Sequence, residues 1–315
     1  MRARPLRLAF VAVLAGCTGS AGCTGSGGAG PGGERPAPPA GAVSAAAASA
    51  STPHRDSAEP PDAGAPPPDP AVEPQPPDPA AEKARIVAEL SGRRPRAWGQ
   101  AIRGVLTHVP ATEPTIALTF DACGGPGGDG YDGALIEYLR RERVPATLFV
   151  TSKWIAARRA AAELLASESL FEIENHGSAH RPCSVTGRSA YDIRGTRNLS
   201  DAIDEIQRGA LSIRALTGRS PRFYRPGTAF FDDVCLDAAA GLGQRAAGFA
   251  VNGDGGTGFS RAQVKAALVK AKDGSIVLLH MNHPTSGTAR GVMDAVPILR
   301  ARGVKFVRLA DAFPK

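Results

Sequence analysis

Apolar positions in the second two-thirds of the chain come in short continuous runs, set apart by longer stretches in which they recur at helical spacing. Thr115-Ile116-Ala117-Leu118-Thr119-Phe120 ends in Asp121, Phe171-Glu172-Ile173-Glu174-Asn175 runs into His176, and Ser275-Ile276-Val277-Leu278-Leu279 ends in His280. Runs of this length, rich in β-branched and aromatic residues, read as buried strands. Further strands are predicted at 101–109, 146–151, 222–225, 247–251 and 304–308. Helices are predicted at 82–90, 131–143 (where Leu135, Ile136 and Leu139 share a face), up to Ala166, from Leu199 to Leu216, and at 232–242, 260–272 and 288–302. About seven strand–helix units in alternation argue for an α/β fold, either a parallel barrel or a doubly wound sheet. In barrels of this kind the C-terminal ends of the strands carry the chemistry, and these strands end in Asp and His.

The first part of the chain has another character. Arg2, Arg4 and Arg7 precede the short apolar stretch Leu8 to Ala15, which reads as a secretory signal too short to span a bilayer. It closes on Leu14-Ala15-Gly16-Cys17, which resembles the bacterial lipobox, so residues 1–16 are read as a lipoprotein signal and Cys17 as the lipidated residue. An ordinary cleaved signal is the alternative. From 17 to 81 the chain is mostly Ala, Gly, Pro and Ser, with 15 of its 27 prolines between Pro31 and Pro79. Such a composition cannot offset its chain entropy by burial and is expected to form a disordered tether. Residues 82–315 are expected to be the ordered part, with 82–111 an extension packing on the folded domain of 112–315.

Charge divides along the same line: residues 18–81 carry a net of −5, residues 82–315 a net of +9. A basic body on an acidic tether suits an anionic polymer or membrane surface. No nucleic-acid module, phosphate-binding Gly-Lys-Ser/Thr loop or Gly-x-Ser-x-Gly elbow is present. Of five cysteines, Cys123, Cys183 and Cys235 fall near strand ends or in loops. An oxidising compartment would favour one bridge among them, with Cys123–Cys183 the first choice.

His176 and His180, four apart across Gly177, can share a divalent metal. Asp121 is a candidate general base and His280 a candidate general acid. Together Thr119-Phe120-Asp121, His176-Gly-Ser-Ala-His180, Arg225-Pro226-Gly227, Asn252-Gly253-Asp254 and Leu278-Leu279-His280 resemble the ordered motifs of the polysaccharide deacetylases, the NodB-homology group or carbohydrate esterase family four. The resemblance runs from about 112 to 313. It implies a distorted (β/α)7-type barrel and metal-dependent removal of acetyl groups from N-acetylated sugars of an envelope polysaccharide such as peptidoglycan or a chitin-like polymer. It also implies Asp121 as base, His176 and His180 as metal ligands, His280 as acid, Arg225 orienting the base, and Asp254 tuning His280. The metal is expected to be Zn, with Co, Ni or Mn as alternatives, and the protein a monomer at the cell envelope, touching the membrane only through its lipid.

The departures from the family pattern are as informative. The usual second Asp, a metal ligand, is Ala122 here. Gly227-Thr228 replaces the expected Pro-Tyr, leaving the backbone amide near Thr228 as a candidate oxyanion donor. Asp121 itself is the first choice to fill the ligand gap and Asp132 the second, followed by Asp129, Cys123 and His283. If Asp121 binds metal, its role as base is in conflict. The alternative to an enzyme is a weak or inactive deacetylase-like domain that binds glycan.

Overall fold

Strand β2 (Thr115–Ala122) is buried at every position, and the rest of the molecule is arranged around it. The structure, a computed structural model, describes residues 78–314. The expected signal segment, Cys17 and nearly all of the tether lie outside the described residues. In chain order the elements are α1 (Pro79–Leu90), β1 (Trp98–Gly99), β2, α2 (Gly133–Arg141), β3 (Ala146–Val150), α3 (Ser152–Ala157), α4 (Arg159–Ser167) and β4 (Phe171–Asn175). There follow α5 (Leu199–Thr217), β5 (Phe223–Tyr224), β6 (Phe231–Asp232), α6 (Asp233–Gly241), β7 (Arg245–Ala246) and β8 (Val251–Asn252). The chain closes with α7 (Arg261–Val269), β9 (Ile276–His280), α8 (Thr288–Ala301), β10 (Lys305–Phe306) and α9 (Leu309–Ala312).

The main sheet is parallel throughout, in the order β7-β5-β4-β3-β2-β9-β8, with β10 also on β2. Its outer strands, β7 and β8, are consecutive in the chain, so the sheet curls into a half-barrel whose edges approach each other. Residues 106–108 help to close it. Leu106 bridges Ala247, and Ile276 N–H donates to the Thr107 carbonyl at 3.1 Å. The leading strand expected at 101–109 is thus a run of isolated bridges. The strand expected at 247–251 falls between β7 and β8, sharing only Val251 with β8, because the chain there crosses from one edge of the sheet to the other.

Alternation along β2 sorts two layers. Ile116, Leu118, Phe120 and Ala122 join the large apolar cluster beneath the helices, while Ala117 joins a second cluster with Phe149, Phe223, Ile276, Leu309 and Phe313. That second cluster places the C-terminal segment across the barrel: Leu309 N–H donates to Thr147 Oγ1 at 2.9 Å, and Ala310 N–H to Glu172 Oε2 at 3.0 Å. Helix α1 begins at Pro79, inside the expected tether. Asp78 caps it, and proline suits its first turn, where the missing N–H costs nothing.

Glu174 is buried on β4 and accepts from the backbone N–H groups of Arg222 and Phe223 at 2.9 and 2.7 Å. Burial, reinforced by Glu172, pushes its carboxyl well above the ordinary value. The native state therefore keeps a proton that the unfolded chain gives up above about pH 4.3, and stability falls as pH rises through that window. Glu174→Gln keeps an acceptor without the charge. Its melting temperature should exceed that of the wild type at pH 8, with the difference closing near pH 4, as thermal melts across pH will show.

Candidate active site

Four strand ends converge on one mouth. Asp121 on β2 pairs in register with His280 on β9, β4 leads into His176, and β5 into Arg225. A cavity of about 530 Å3 opens there, reached by Asp121, Cys123, His180 and His280.

Arg225 is fully buried and anchors the group. Its Nη1 donates to Asp121 Oδ1 at 2.8 Å and to Thr119 Oγ1 at 2.9 Å, and its Nε and Nη2 donate to the carbonyls of Ala247 and Gly248. The guanidinium also lies 4.2 Å from the centroid of the Phe149 ring. Burial alone would raise the Asp121 carboxyl, but Arg225, His176 and His280 outweigh it and hold the group below the usual carboxylate range. Asp121 is therefore ionised.

His280 is fixed from the other side. Its backbone N–H donates to Asp254 Oδ2 at 2.7 Å, and its Nδ1 lies 3.0 and 3.1 Å from the two Asp254 oxygens. Thr288 Oγ1 donates to the same carboxylate at 3.0 Å. Burial would depress the imidazole, yet the bond to Asp254, with a further contribution from Cys123, raises it well above its ordinary value. The Asp254 carboxylate makes Nδ1 the donor, so Nε2 is free for chemistry.

His176 Nδ1 donates to the Arg225 carbonyl at 2.7 Å, which turns Nε2 inward. Nε2 is buried without a hydrogen-bond partner, and its 3.6 Å approach to Asp121 Oδ2 is too long for one. An orphaned imidazole nitrogen of this kind fits a metal ion. His180, in the left-handed region at φ 62°, brings its ring within 5.0 Å of His176, centroid to centroid. The third member of the group is Cys123: one ligand atom from each of Cys123, His176 and His180 lies within 4.8 Å of the others. Burial would raise the thiol, but His176, His180 and His280 around it hold it well below its ordinary value, toward the thiolate that binds metal. A set of one cysteine and two histidines suits a catalytic zinc site, which takes three protein ligands and keeps a position open.

The Ala122 methyl faces the helix layer, while Asp121 and Cys123, two residues apart, both face the mouth. Asp132, the second choice for the missing ligand, is not brought into the group. It caps α2, with Oδ1 accepting from Leu135 N–H at 3.0 Å, and burial raises its carboxyl. Asp129 is likewise turned into its own loop, accepting from Gly125 N–H at 2.6 Å. The expected Cys123–Cys183 bridge is replaced by Cys183–Cys235, and Cys123 is free. The reason is local pairing: Cys183 exchanges backbone hydrogen bonds with Phe230 and Asp232, which sets it beside Cys235 in the first turn of α6.

The loop carrying the two histidines is held by Glu205, a residue that the sequence pattern does not single out. Glu205 is buried on α5 and accepts from Ser178 Oγ at 2.8 Å, from Ala179 N–H at 2.7 Å and from Arg181. Gly177 is required here, since at φ 82° any Cβ would press on that carboxylate. Gly227 is required too, because the His180 backbone occupies the space a side chain would need. Glu205→Ala strands these donors and should cost about 3 kcal/mol of stability. Because it orients the His180 loop, metal affinity should also fall ~10-fold or more. Denaturant unfolding and metal titration measure the two effects.

The fold and site define an α/β half-barrel protein with a candidate metal site, one cysteine and two histidines at its strand ends, flanked by an Arg-braced aspartate and an Asp-braced histidine. Residues 108–247 match the model of the polysaccharide deacetylase family. That match covers less than half of the 315-residue chain, and the likeness to the family is a likeness of this segment. The chain is 26% identical over 207 residues to the peptidoglycan-N-acetylmuramic acid deacetylase PdaA of Bacillus subtilis, covering 63% of this chain and 71% of that protein. Its fold is similar to that of a family-four pseudoenzyme from Bacillus anthracis (TM-score 0.54, 20% identity, 64% of this chain and 66% of the other). It is also similar to an acetyl xylan esterase from Clostridium thermocellum in complex with cobalt (TM-score 0.52, 22% identity, 63% and 90%). Asp254 and His280 lie beyond the matched segment, and their placement rests on the geometry alone.

Proposed function

We propose that this chain is a metal-dependent hydrolase that removes acetyl groups from N-acetylated sugars of a cell-envelope polysaccharide, exported and held at the envelope through Cys17. The observation that carries the reading is that Cys123 joins His176 and His180, so that Asp121 need not serve as a ligand and is available as a base. A thiolate among the ligands favours Zn or Co over Mn. A divalent ion held by Cys123, His176 and His180 would supply Lewis-acid chemistry, polarising a carbonyl and lowering the pKa of water.

The protein's own groups supply the proton transfers. Asp121, ionised and fixed by Arg225, accepts the proton of the attacking water. His280, protonated and fixed by Asp254, donates to the amine nitrogen as the C–N bond breaks. Thr228, left-handed at φ 71°, borders the same mouth, and the amide near it is the candidate oxyanion donor. Peptidoglycan is the favoured polymer because PdaA is named for that substrate, and the basic body suits an anionic envelope.

The pseudoenzyme among the structural neighbours keeps a second reading in view, a domain that binds glycan without cleaving it. Acetate release from acetylated chito-oligosaccharides and from peptidoglycan separates the two. Metal-loaded protein should release acetate, and chelator-stripped protein should not until Zn2+ is restored. Metal-loaded protein that releases none above the blank leaves only the binding reading.

A further inference from the structure

The mouth of the site is bordered by an aromatic group that the acid–base machinery does not use. Tyr191 lines the same cavity as Asp121 and His280 and is 69% exposed, the most exposed large hydrophobic side chain among the described residues. It sits at the tip of a two-residue hairpin: Ala190 and Ile193 exchange both backbone hydrogen bonds, at 3.1 and 3.0 Å. Tyr191 and Asp192 between them have φ of 51° and 62°, the geometry of a type I′ turn, where Asn-Gly would be the relaxed choice. A bulky aromatic at the first position of such a turn is strained and projects into water. Burial does not explain it.

Tyr191 is supported from beneath. Its ring meets Phe230 edge-to-face with centroids 5.7 Å apart, Phe230 packs on Trp98 at 5.4 Å, and the Arg188 guanidinium lies 4.8 Å from the Trp98 centroid. Gln100 Nε2 donates to the Thr228 carbonyl at 2.8 Å and lies 3.4 Å from the Tyr191 hydroxyl, linking the aromatic group to the backbone beside the catalytic residues. The Cys183–Cys235 bridge anchors the segment that leads into the hairpin. Trp98 and Gln100 lie before residue 108, so part of this support comes from outside the segment matched to the family. Rigid, amphipathic aromatic rings with a polar tip, placed at a cavity that holds a few convergent polar groups, suit a ligand that presents both C–H faces and hydroxyls.

We propose that Tyr191, backed by Phe230 and Trp98, is a stacking subsite for a pyranose ring of the N-acetylated glycan, one sugar away from the residue being deacetylated. This rests on the deacetylase reading for the identity of the glycan. It makes Tyr191 a specificity residue for chains over single sugars, with no part in the bond-breaking step.

The test uses the full-length, metal-loaded protein with Tyr191→Ala and Tyr191→Phe, each checked for wild-type melting. Affinity for tetra-N-acetylchitotetraose is measured by calorimetry, and kcat and KM are measured on that tetramer and on a small aryl acetate. Tyr191→Ala should weaken tetramer binding and raise its KM about tenfold, leaving kcat and the aryl acetate rate within twofold. Tyr191→Phe should stay within twofold of wild type throughout. Unchanged tetramer affinity in Tyr191→Ala, or equal losses on tetramer and aryl acetate, overturns the subsite. If wild type binds the tetramer and releases no acetate, the deacetylase reading fails while the affinity series still decides the subsite. Wild type that neither binds nor cleaves the tetramer ends both.

Discussion

Cys123→Ala is expected to strip the domain of its tightly held metal and lower kcat/KM by ~100-fold or more, since loss of even an outer partner of a metal ligand reaches that size. With Cys123 gone, two imidazoles remain, and two protein ligands are fewer than a catalytic zinc site ordinarily has. His176 Nε2 is already a buried, unpartnered nitrogen. Dialysis against buffer should leave the wild type with metal near one equivalent and Cys123→Ala with little. In cobalt-substituted protein, the thiolate-to-metal charge-transfer absorption should be present in wild type and lost in the variant. Cys123→Asp returns a carboxylate to the same face of the strand end and should recover part of both metal content and rate. A Cys123→Ala protein that keeps full metal content after dialysis would show that the thiol is not a ligand.

The strand-end logic of the site is legible in the sequence because it depends on local patterns. Asp121 and His280 close buried apolar runs, and parallel pairing of two such runs sets their ends side by side; in the structure the two residues are register partners. Arg225 follows the short buried strand β5, whereas Asp254 lies two residues past the partly exposed β8 and is marked in the sequence only by the family resemblance. What the sequence could not convey was which side chains would already be engaged elsewhere. Asp132 looks like a free carboxylate near the mouth, but its position at the start of a helix commits it to the α2 cap. The same holds for the cysteines. Cys183 and Cys235 are 52 residues apart and meet only through the pairing of residues 183 and 230–232. Period-two alternation was the available signal for Cys123, which continues the face of Asp121 one step past the strand end. Tyr191 gave no such signal, since an isolated aromatic in a polar loop acquires meaning only from what the fold sets beside it.

Asp121→Asn separates the two roles open to that carboxylate. If Asp121 is the base, the substitution keeps a side chain of the same shape against Arg225 and leaves Cys123, His176 and His180 in place. Metal content should then stay at the wild-type level while kcat/KM falls 10²–10⁴-fold, the range for losing a positioned general base. If Asp121 were a ligand, metal would be lost with the activity. The pH profile gives a second, independent reading. With Asp121 as base, the acidic limb of the wild-type profile is expected to follow its protonation. It should lie below the usual carboxylate range, because Arg225 and the nearby histidines outweigh burial there. With His280 as acid, the alkaline limb is expected to follow its proton loss and to lie well above ordinary imidazole values, because Asp254 stabilises the cation against burial. Asp121→Asn removes the acidic limb from the residual activity and leaves the alkaline one. Asp254→Asn, which deletes the charge beside Nδ1, should carry the alkaline limb down toward neutral pH. An Asp121→Asn enzyme with wild-type rates would remove this carboxylate from the proton transfer. The base would then have to be sought elsewhere at the mouth, where His283 is the remaining imidazole, its ring centroid 6.5 Å from that of His280.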